Sequence, residues 1–292
     1  MVNDSKISVI IPAKNEADSL PPLLKEIRKL LPQAEIILVN DGSTDETAAV
    51  TQSLTDKQVT HPLSLGNGAA VKSGARAATG DILVFMDADG QHKPADIPAL
   101  LSEIDKGCLM SIGARNIASH ASIPRRMANT FYNKLASYMT GQRIEDLTSG
   151  FRAVSRTHFL QFINLLPNGF SYPTTITMAF FKAGFPVTYV PIFANKRVGE
   201  SHIRPLVDGA RFFLIIFRVG SLYSPLKIFA PASALLFAVA SLYYAYTFIT
   251  EGRFTNMSAL FYMTSILTFF IGLVSEQVTQ LLYLSSLSDK DL

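Results

Sequence analysis

The sequence predicts an α/β domain with a mostly parallel sheet, followed by a membrane-embedded tail. Three observations carry that reading. "ISVIIP" (7–12), "EIILVN" (35–40) and "DILVFM" (81–86) are short, nearly continuous apolar runs, the composition of strands buried on both faces. Segments with apolar residues at helical spacing alternate with them, as strand–helix–strand units require. After about residue 200 the chain changes character and long uncharged stretches begin.

Taken in order, polar "MVNDSK" leads straight into the first strand. No basic stretch followed by an apolar one precedes it, so no cleavable signal sequence is expected. "DSLPPLLKEIRKLL" reads as a helix with Ser19 as its cap and prolines in its first turn. Ser43 and Glu46 in "DGSTDETAAV" have the spacing of a capping box. "SLGNGAAVKSG" (64–74) falls one residue short of two phosphate-binding patterns, because both need glycine where Val71 stands. It also does not follow the first strand, where a dinucleotide fingerprint belongs. Gly66 and Gly68 are therefore expected to form a tight turn into a helix whose N-terminus points toward the site without being the main phosphate holder.

Ligands of parallel sheets bind beyond the carboxyl ends of the strands. "PAKNE" (12–16), "NDGS" (40–43) and "DADGQ" (87–91) all fall at that edge. In the last of these, two carboxylates at i and i+2 are followed by an amide oxygen. Such hard oxygen ligands suit Mg²⁺ or Mn²⁺, which keep coordination positions open for phosphate oxygens. Composition narrows the rest. A net charge of +3 gives no reason to expect a nucleic-acid partner, the single Cys108 excludes an intrachain disulfide, and five scattered histidines do not suggest zinc.

Phe229–Ile249 carries no charge, and a second uncharged run extends from Met257 to Ser275. Each is long enough to cross a hydrocarbon core of ~30 Å as a helix. The short "TEGRFTN" between them makes a tight hairpin. Before it, Arg204, Arg211 and Arg218 recur every seven residues among apolar neighbours, the pattern of a helix lying on a membrane surface. With Lys227, these outweigh the lone Arg253 of the hairpin loop, which places the N-terminal domain and the C-terminus in the cytoplasm. The expected units are a catalytic domain (1–200), an interface segment (201–226) and a hairpin with a short tail (227–292). Glu276 and Gln280 are expected near the cytoplasmic interface.

"VIIPAKNEADSL", "LVNDGSTDET", "LGNGAAVKSG", "ILVFMDADGQH", "GAR", "DLTSGFRA" and "RVGESH" occur in the order seen in glycosyltransferase family 2. As a set they resemble its dolichol-phosphate mannose synthase and polyprenyl-phosphate glycosyltransferase branch. The resemblance implies a GT-A fold, a UDP- or GDP-sugar donor, Mg²⁺ or Mn²⁺, inversion at the anomeric carbon and a polyprenyl phosphate acceptor. It places Asp41 at the donor base, with Pro12, Ala13 and Glu16 lining the base and ribose pocket. It makes Asp89 and Gln91 the direct metal ligands, with Asp87 nearer the ribose and sugar. Arg197 and Ser201 match a segment that closes over the diphosphate, where His202 replaces a usual lysine.

On the acceptor side the resemblance assigns Arg115 and one of Arg125 and Arg126 to the lipid phosphate. Asp146 falls where relatives with hydroxyl acceptors keep a base, and Arg152 could assist or be structural. A phosphate monoester with a second pKa of about 6 is mostly a dianion at neutral pH and needs cations rather than a base. A processive polysaccharide synthase and a non-catalytic membrane subunit are the competing readings. The absence of tryptophan removes the QxxRW segment the first would use, and the intact "DADGQ" argues against the second.

Overall fold

A computed structural model describes residues 6–115, 123–169, 171–193 and 224–288, together with Leu214, Phe217, Gly220 and Ser221. The side chains of 123–128 and 282–288 lie outside that description. Contacts divide the chain into two compact units: Met1–Ser137 with Gln142–Ile215, and Tyr138–Gly141 with Ile216–Leu292. The interface segment expected at 201–226 falls mostly outside the described residues.

The first unit is built on a seven-stranded sheet. In chain order its elements are β1 (Ile7–Ala13), α1 (Leu20–Leu30), β2 (Glu35–Asn40), α2 (Thr47–Thr51), β3 (Lys57–Thr60), α3 (Asn67–Ala77), β4 (Ile82–Phe85), α4 (Ile97–Asp105) and β5 (Met110–Arg115). They continue with α5 (Ile123–Thr140), β6 (Arg152–Ser155), α6 (Arg156–Gln161), α7 (Tyr172–Lys182) and β7 (Val187–Ile192). The strands lie in the order β3-β2-β1-β4-β6-β5-β7. All neighbours are parallel except β6, which runs antiparallel to both β4 and β5.

Alternation along the apolar strands fills both faces. Val9, Ile11, Leu38 and Val84 pack with Leu20, Leu24, Ile97 and Leu100 on one side. Ile10, Ile37, Val39 and Phe85 pack with Val71, Ala75, Ile176 and Phe180 on the other. A strand covered by helices on both faces has no polar side to show, which is why these runs read as continuous in sequence.

Antiparallel β6 matters for function. Phe85, the last residue of β4, pairs with Arg152, the first of β6. The segment entering β6, residues 146–151, therefore arrives at the same edge where β4 and β5 end.

Two expected caps are built differently. The Ser19 hydroxyl turns back to donate to Glu16 instead of capping α1. Ser43 takes no part in a capping box, because its hydroxyl accepts from the Asn15 amide while α2 begins after Glu46. Both serines join loops at the sheet edge, and that competing use of a short hydroxyl is the reason the local pattern misleads.

The glycine-rich loop is also redirected. Gly66 (φ 100°) precedes α3 as expected. The N-terminus of that helix, however, is covered by protein: the Ala69 amide donates to the Asn168 carbonyl at 3.0 Å. Lys72, the residue in the Walker lysine's place, donates to the Leu166 carbonyl and the Asn168 side chain at 3.0 and 2.6 Å. A Cβ on Gly68 would stand 2.1 Å from the Pro167 carbonyl oxygen. The small residues and the lysine thus dock the 166–169 segment ahead of α7.

The second unit is a helical hairpin, α8 (Leu226–Glu251) and α9 (Asn256–Ser288), turned by Gly252. Both helices are long and apolar enough to cross a membrane. Ser233 and Ser265 exchange hydroxyl-to-carbonyl hydrogen bonds at 2.9 Å each. Such small polar residues let helices approach where lipid offers no hydrophobic drive. Pro231 cannot donate to the Lys227 carbonyl one turn earlier, and the Tyr138 hydroxyl does so instead at 3.3 Å. Glu276 accepts from the Leu226 amide at 3.1 Å, satisfying one of the open donors at the start of α8. Lys227 is engaged with the Tyr138 and Met139 carbonyls.

Gly68→Ala is expected to destabilise the protein by about 1–3 kcal/mol, because the clash is with backbone rather than a movable side chain. Thermal unfolding in detergent measures it, and an unchanged midpoint would mean that the 166–169 segment is free to move off α3.

Candidate active site

The period-two alternation of β4 continues past its last ladder residue. Ile82, Val84, Met86 and Ala88 all lie in one core layer, so Asp87 and Asp89 emerge together on the opposite side. Gly90 (φ 70°) lets the chain turn there, and the Gln91 amide donates to Asp89 Oδ1 at 3.2 Å. Asp87 is held close to the segment that enters β6. A Cβ on Gly150 would stand 2.8 Å from Asp87 Oδ2, so only glycine leaves room for the carboxylate.

His92 lies behind this turn with its ring stacked on Phe151, centroids 5.0 Å apart. Its Nε2 is 4.0 Å from Asp87 Oδ2. Burial, reinforced by the nearby charge of Arg115, pulls its pKa down to about 4. The imidazole is therefore neutral at physiological pH.

Arg115, at the end of β5, meets Asp146 in a two-point fork. Nε donates to Oδ2 at 2.8 Å and Nη2 to Oδ1 at 2.9 Å. Asp146 also accepts from the Arg115 amide, the Thr148 amide and the Thr148 hydroxyl. Five donors converge on one carboxylate. Burial alone would raise its pKa, but the hydrogen bonds and charge of Arg115 hold it below the ordinary 3.8. The pair's stabilisation is present above that value and is lost as pH falls through the lower folded one. Arg115 also donates from Nη2 to the Thr148 hydroxyl at 2.6 Å. Its Nη1 makes no hydrogen bond among the described residues, and both Asp87 and Asp89 act on its charge.

Asp41 is similarly occupied. Oδ1 accepts from His61 Nδ1 (2.7 Å) and the Leu65 amide (2.8 Å), and Oδ2 accepts from the Ser64 hydroxyl (2.8 Å) and the Gly66 amide (2.9 Å). Burial opposes ionisation, but these bonds, led by that from His61, hold the carboxyl below its ordinary value. His61 Nε2 contacts the Ser73 hydroxyl at 2.9 Å. In this arrangement Asp41 shapes the 61–66 turn, and no lone pair remains for a donor base.

The first two edge loops interlock beside it. Asn15 (φ 55°) receives the Thr44 amide on its side chain at 2.8 Å. Glu16 and Ala17 donate their amides to Thr47 and Asp45. Pro12 and Ala13 end β1 at this point, and the Asp41 amide continues the ladder to the Ala13 carbonyl at 2.9 Å.

Arg152 is fully buried beneath the edge. It donates to the Ser149 and Pro173 carbonyls and to Thr177 Oγ1, and it lies 5.9 Å from the Tyr172 ring centre. It therefore braces the 149–152 segment from below, out of a substrate's reach.

The structure thus gathers Asp87, Asp89, Gln91, Arg115 and Asp146 at one edge, with Pro12, Ala13, Glu16 and Asp41 beside them. Arg125 and Arg126 belong to the first turn of α5, but their side chains lie outside the described residues, as do Arg197, Ser201 and His202. Sequence reasoning passed over His61, His92, Thr148 and Gly150. Gly150 within "TSGFR" carried the one available signal, a glycine next to an acidic site. Among the described residues no three His, Cys, Asp or Glu side chains converge as a metal cage. Asp87, Asp89 and Gln91 supply oxygen only and leave coordination positions open, a donor set that fits Mg²⁺ or Mn²⁺.

A mostly parallel sheet with paired carboxylates and a fixed arginine at its carboxyl edge is the architecture of a ligand-binding α/β domain. Residues 8–162 match the model for glycosyl transferase family 2 and residues 224–281 that for the GtrB C-terminal hairpin. The chain belongs to glycosyl transferase family 2. It is 31% identical over 214 residues to polyprenol monophosphomannose synthase of Mycolicibacterium smegmatis, covering 66% of this chain and 79% of that one. It is 32% identical over 213 residues to undecaprenyl-phosphate mannosyltransferase of Micrococcus luteus, covering 67% and 86%. An undecaprenyl-phosphate 4-deoxy-4-formamido-L-arabinose transferase of Klebsiella pneumoniae is 33% identical over 161 residues, covering 52% of this chain and 49% of that one. The fold is shared with glucosyl-3-phosphoglycerate synthase of Mycobacterium tuberculosis, solved with Mn²⁺, UDP-glucose and phosphoglyceric acid. That match has a TM-score of 0.62 at 18% identity and covers 75% of this chain and 81% of that one. The same enzyme has also been solved with Mg²⁺ and UDP. The first unit is thus a GT-A-like glycosyltransferase domain.

His92 gives the site a pH signature. Because its folded pKa lies below its unfolded value of 6.5, stability is lost as pH falls from about 6.5 to about 4. The loss is on the order of 3 kcal/mol. Thermal midpoints followed across this range should fall more steeply for the wild type than for His92→Gln. Equal slopes would mean that the ring takes up its proton without cost.

Proposed function

We propose that the protein transfers a single sugar from a UDP- or GDP-sugar to a membrane polyprenyl phosphate, inverting the anomeric carbon. The observation that carries this reading is the state of Asp146. A carboxylate with five intramolecular donors and a depressed pKa is a poor general base, because a base must have a lone pair to receive the proton. A hydroxyl acceptor would need one, whereas a phosphate dianion does not.

What the arrangement offers is a cation of fixed direction. Asp146 and Thr148 clamp one edge of Arg115 and leave Nη1 for the acceptor phosphate, with Arg125 or Arg126 as its second cation. Held in line with the anomeric carbon, the phosphate attacks from the face opposite the leaving diphosphate. Asp87, Asp89 and Gln91 would hold a divalent ion, which supplies Lewis acidity toward the leaving diphosphate. Gly150 and His92 keep Asp87 in place without adding charge. Pro12, Ala13, Glu16 and Asp41 line the donor base side, Asp41 shaping the 61–66 turn and reading the base only if Ser64 or an amide gives way. The family resemblance assigns Arg197 and Ser201 to the donor diphosphate.

The two membrane-length helices and the three relatives, each named for transfer to or synthesis on a polyprenol phosphate, support a lipid acceptor. We place the protein in the cytoplasmic membrane with the catalytic domain facing the cytoplasm. This rests on Arg204, Arg211 and Arg218 before the hairpin, since Lys227 is used within the hairpin unit.

Detergent-purified protein with Mn²⁺, scanned against UDP- and GDP-sugars, should release nucleotide diphosphate only when polyprenyl phosphate is present. Asp89→Ala should abolish that release, and Arg115→Lys, which keeps the charge but loses the fork, should lower it by about 10²-fold. Release indifferent to the lipid would sink the acceptor assignment. Gly150→Ala, by pushing Asp87 aside, should cost up to about 10²-fold in rate. Full activity in that variant would show that Asp87 need not sit where it does.

A further inference from the structure

Asn133 lies on α5 and has no part in the site as described above. Its side-chain Nδ2 donates to the Glu145 carbonyl at 2.6 Å, and its Oδ1 accepts from the Leu147 amide at 3.2 Å. One amide group thus grips the backbone on both sides of Asp146, as a neighbouring strand would. We propose that Asn133 is a positioning residue for the acceptor phosphate: it fixes Asp146, which in turn aims Arg115. The inference rests on the reading of Arg115 as an acceptor-phosphate cation.

Three features lead to it. Asp146 has no freedom of its own, since each of its oxygens is tied to Arg115, so any shift of its backbone moves the guanidinium. The segment 142–151 crosses from α5 to β6 as a loop, and no ladder holds residues 145–147. Finally, Arg126 precedes Asn133 by seven residues on α5, two turns of helix, so the two positions share a face. A single helix therefore carries one candidate phosphate cation and, through Asn133, sets the direction of the other. Ser137, one turn further on, accepts from the Ile144 amide at 3.0 Å. It holds the same loop without straddling Asp146, which makes it the natural control.

The experiment uses full-length protein in detergent with undecaprenyl phosphate as acceptor, comparing Asn133→Ala, Ser137→Ala and Arg115→Lys. Asn133→Ala should speed hydrogen–deuterium exchange of the 144–148 segment. It should raise the KM for the lipid on the order of 10-fold to 10²-fold while leaving the KM for the sugar nucleotide unchanged. Ser137→Ala should leave both KM values unchanged. Exchange that stays slow in Asn133→Ala, a donor KM that rises equally, or the same lipid effect from Ser137→Ala would each overturn the proposal. If Arg115→Lys itself leaves the lipid KM unaltered, the acceptor reading falls instead. If Arg115→Lys raises it and Asn133→Ala does not, only the role of Asn133 falls.

Discussion

The geometry of the site hangs on the ion pair between Arg115 and Asp146. Taking both charges out of water costs several kcal/mol, and a buried pair of this kind contributes little net stability. Its value is directional. The fork leaves the guanidinium one plane and one open edge, so a cation that would otherwise sweep a wide arc is held at the strand ends. The pair also acts on its surroundings: the charge of Arg115 helps to keep His92 neutral, so the only fixed cation described beside the paired carboxylates is Arg115 itself.

Three carboxylates at this edge differ in how far they are buried. Asp41 and Asp146 are nearly buried and saturated, whereas the side chain of Asp87 remains about one-third exposed, at 34%. Saturated groups are part of the scaffold, since every lone pair is committed before a substrate arrives. Asp87 differs from them in facing solvent, beside Asp89 and Gln91 on the adjoining turn. Such a division is what electrostatic preorganisation demands: fixed dipoles and charges need not reorganise during the reaction.

The hairpin solves a different problem with similar means. A proline near the start of a helix leaves the carbonyl one turn earlier without its usual donor. Pro231 frees the Lys227 carbonyl and Tyr138 takes it, while Ser233 and Ser265 settle each other's hydroxyls. Gly272 lets the helices close further, since a Cβ there would stand 2.5 Å from Phe229. These contacts give two nearly featureless apolar stretches a specific register.

The sequence by itself determined the buried strands, the edge where their loops gather, the paired carboxylates and the hairpin. All of these are local: each follows from composition or spacing within a single stretch of chain. Only the tertiary structure decided how the polar residues are used. Ser19 and Ser43, spaced as caps, serve as loop ties, and Lys72 with the glycines of α3 grips residues 166–169 rather than facing the site. Asp146, placed where a base is kept, holds an arginine instead. Apart from the Ser19 tie to Glu16, which is local, each of these outcomes depends on a partner 28 or more residues away, and hydrogen-bond capacity has no preferred sequence distance. A carboxylate's spacing can announce that it matters, but its role depends on which donors the fold brings to it.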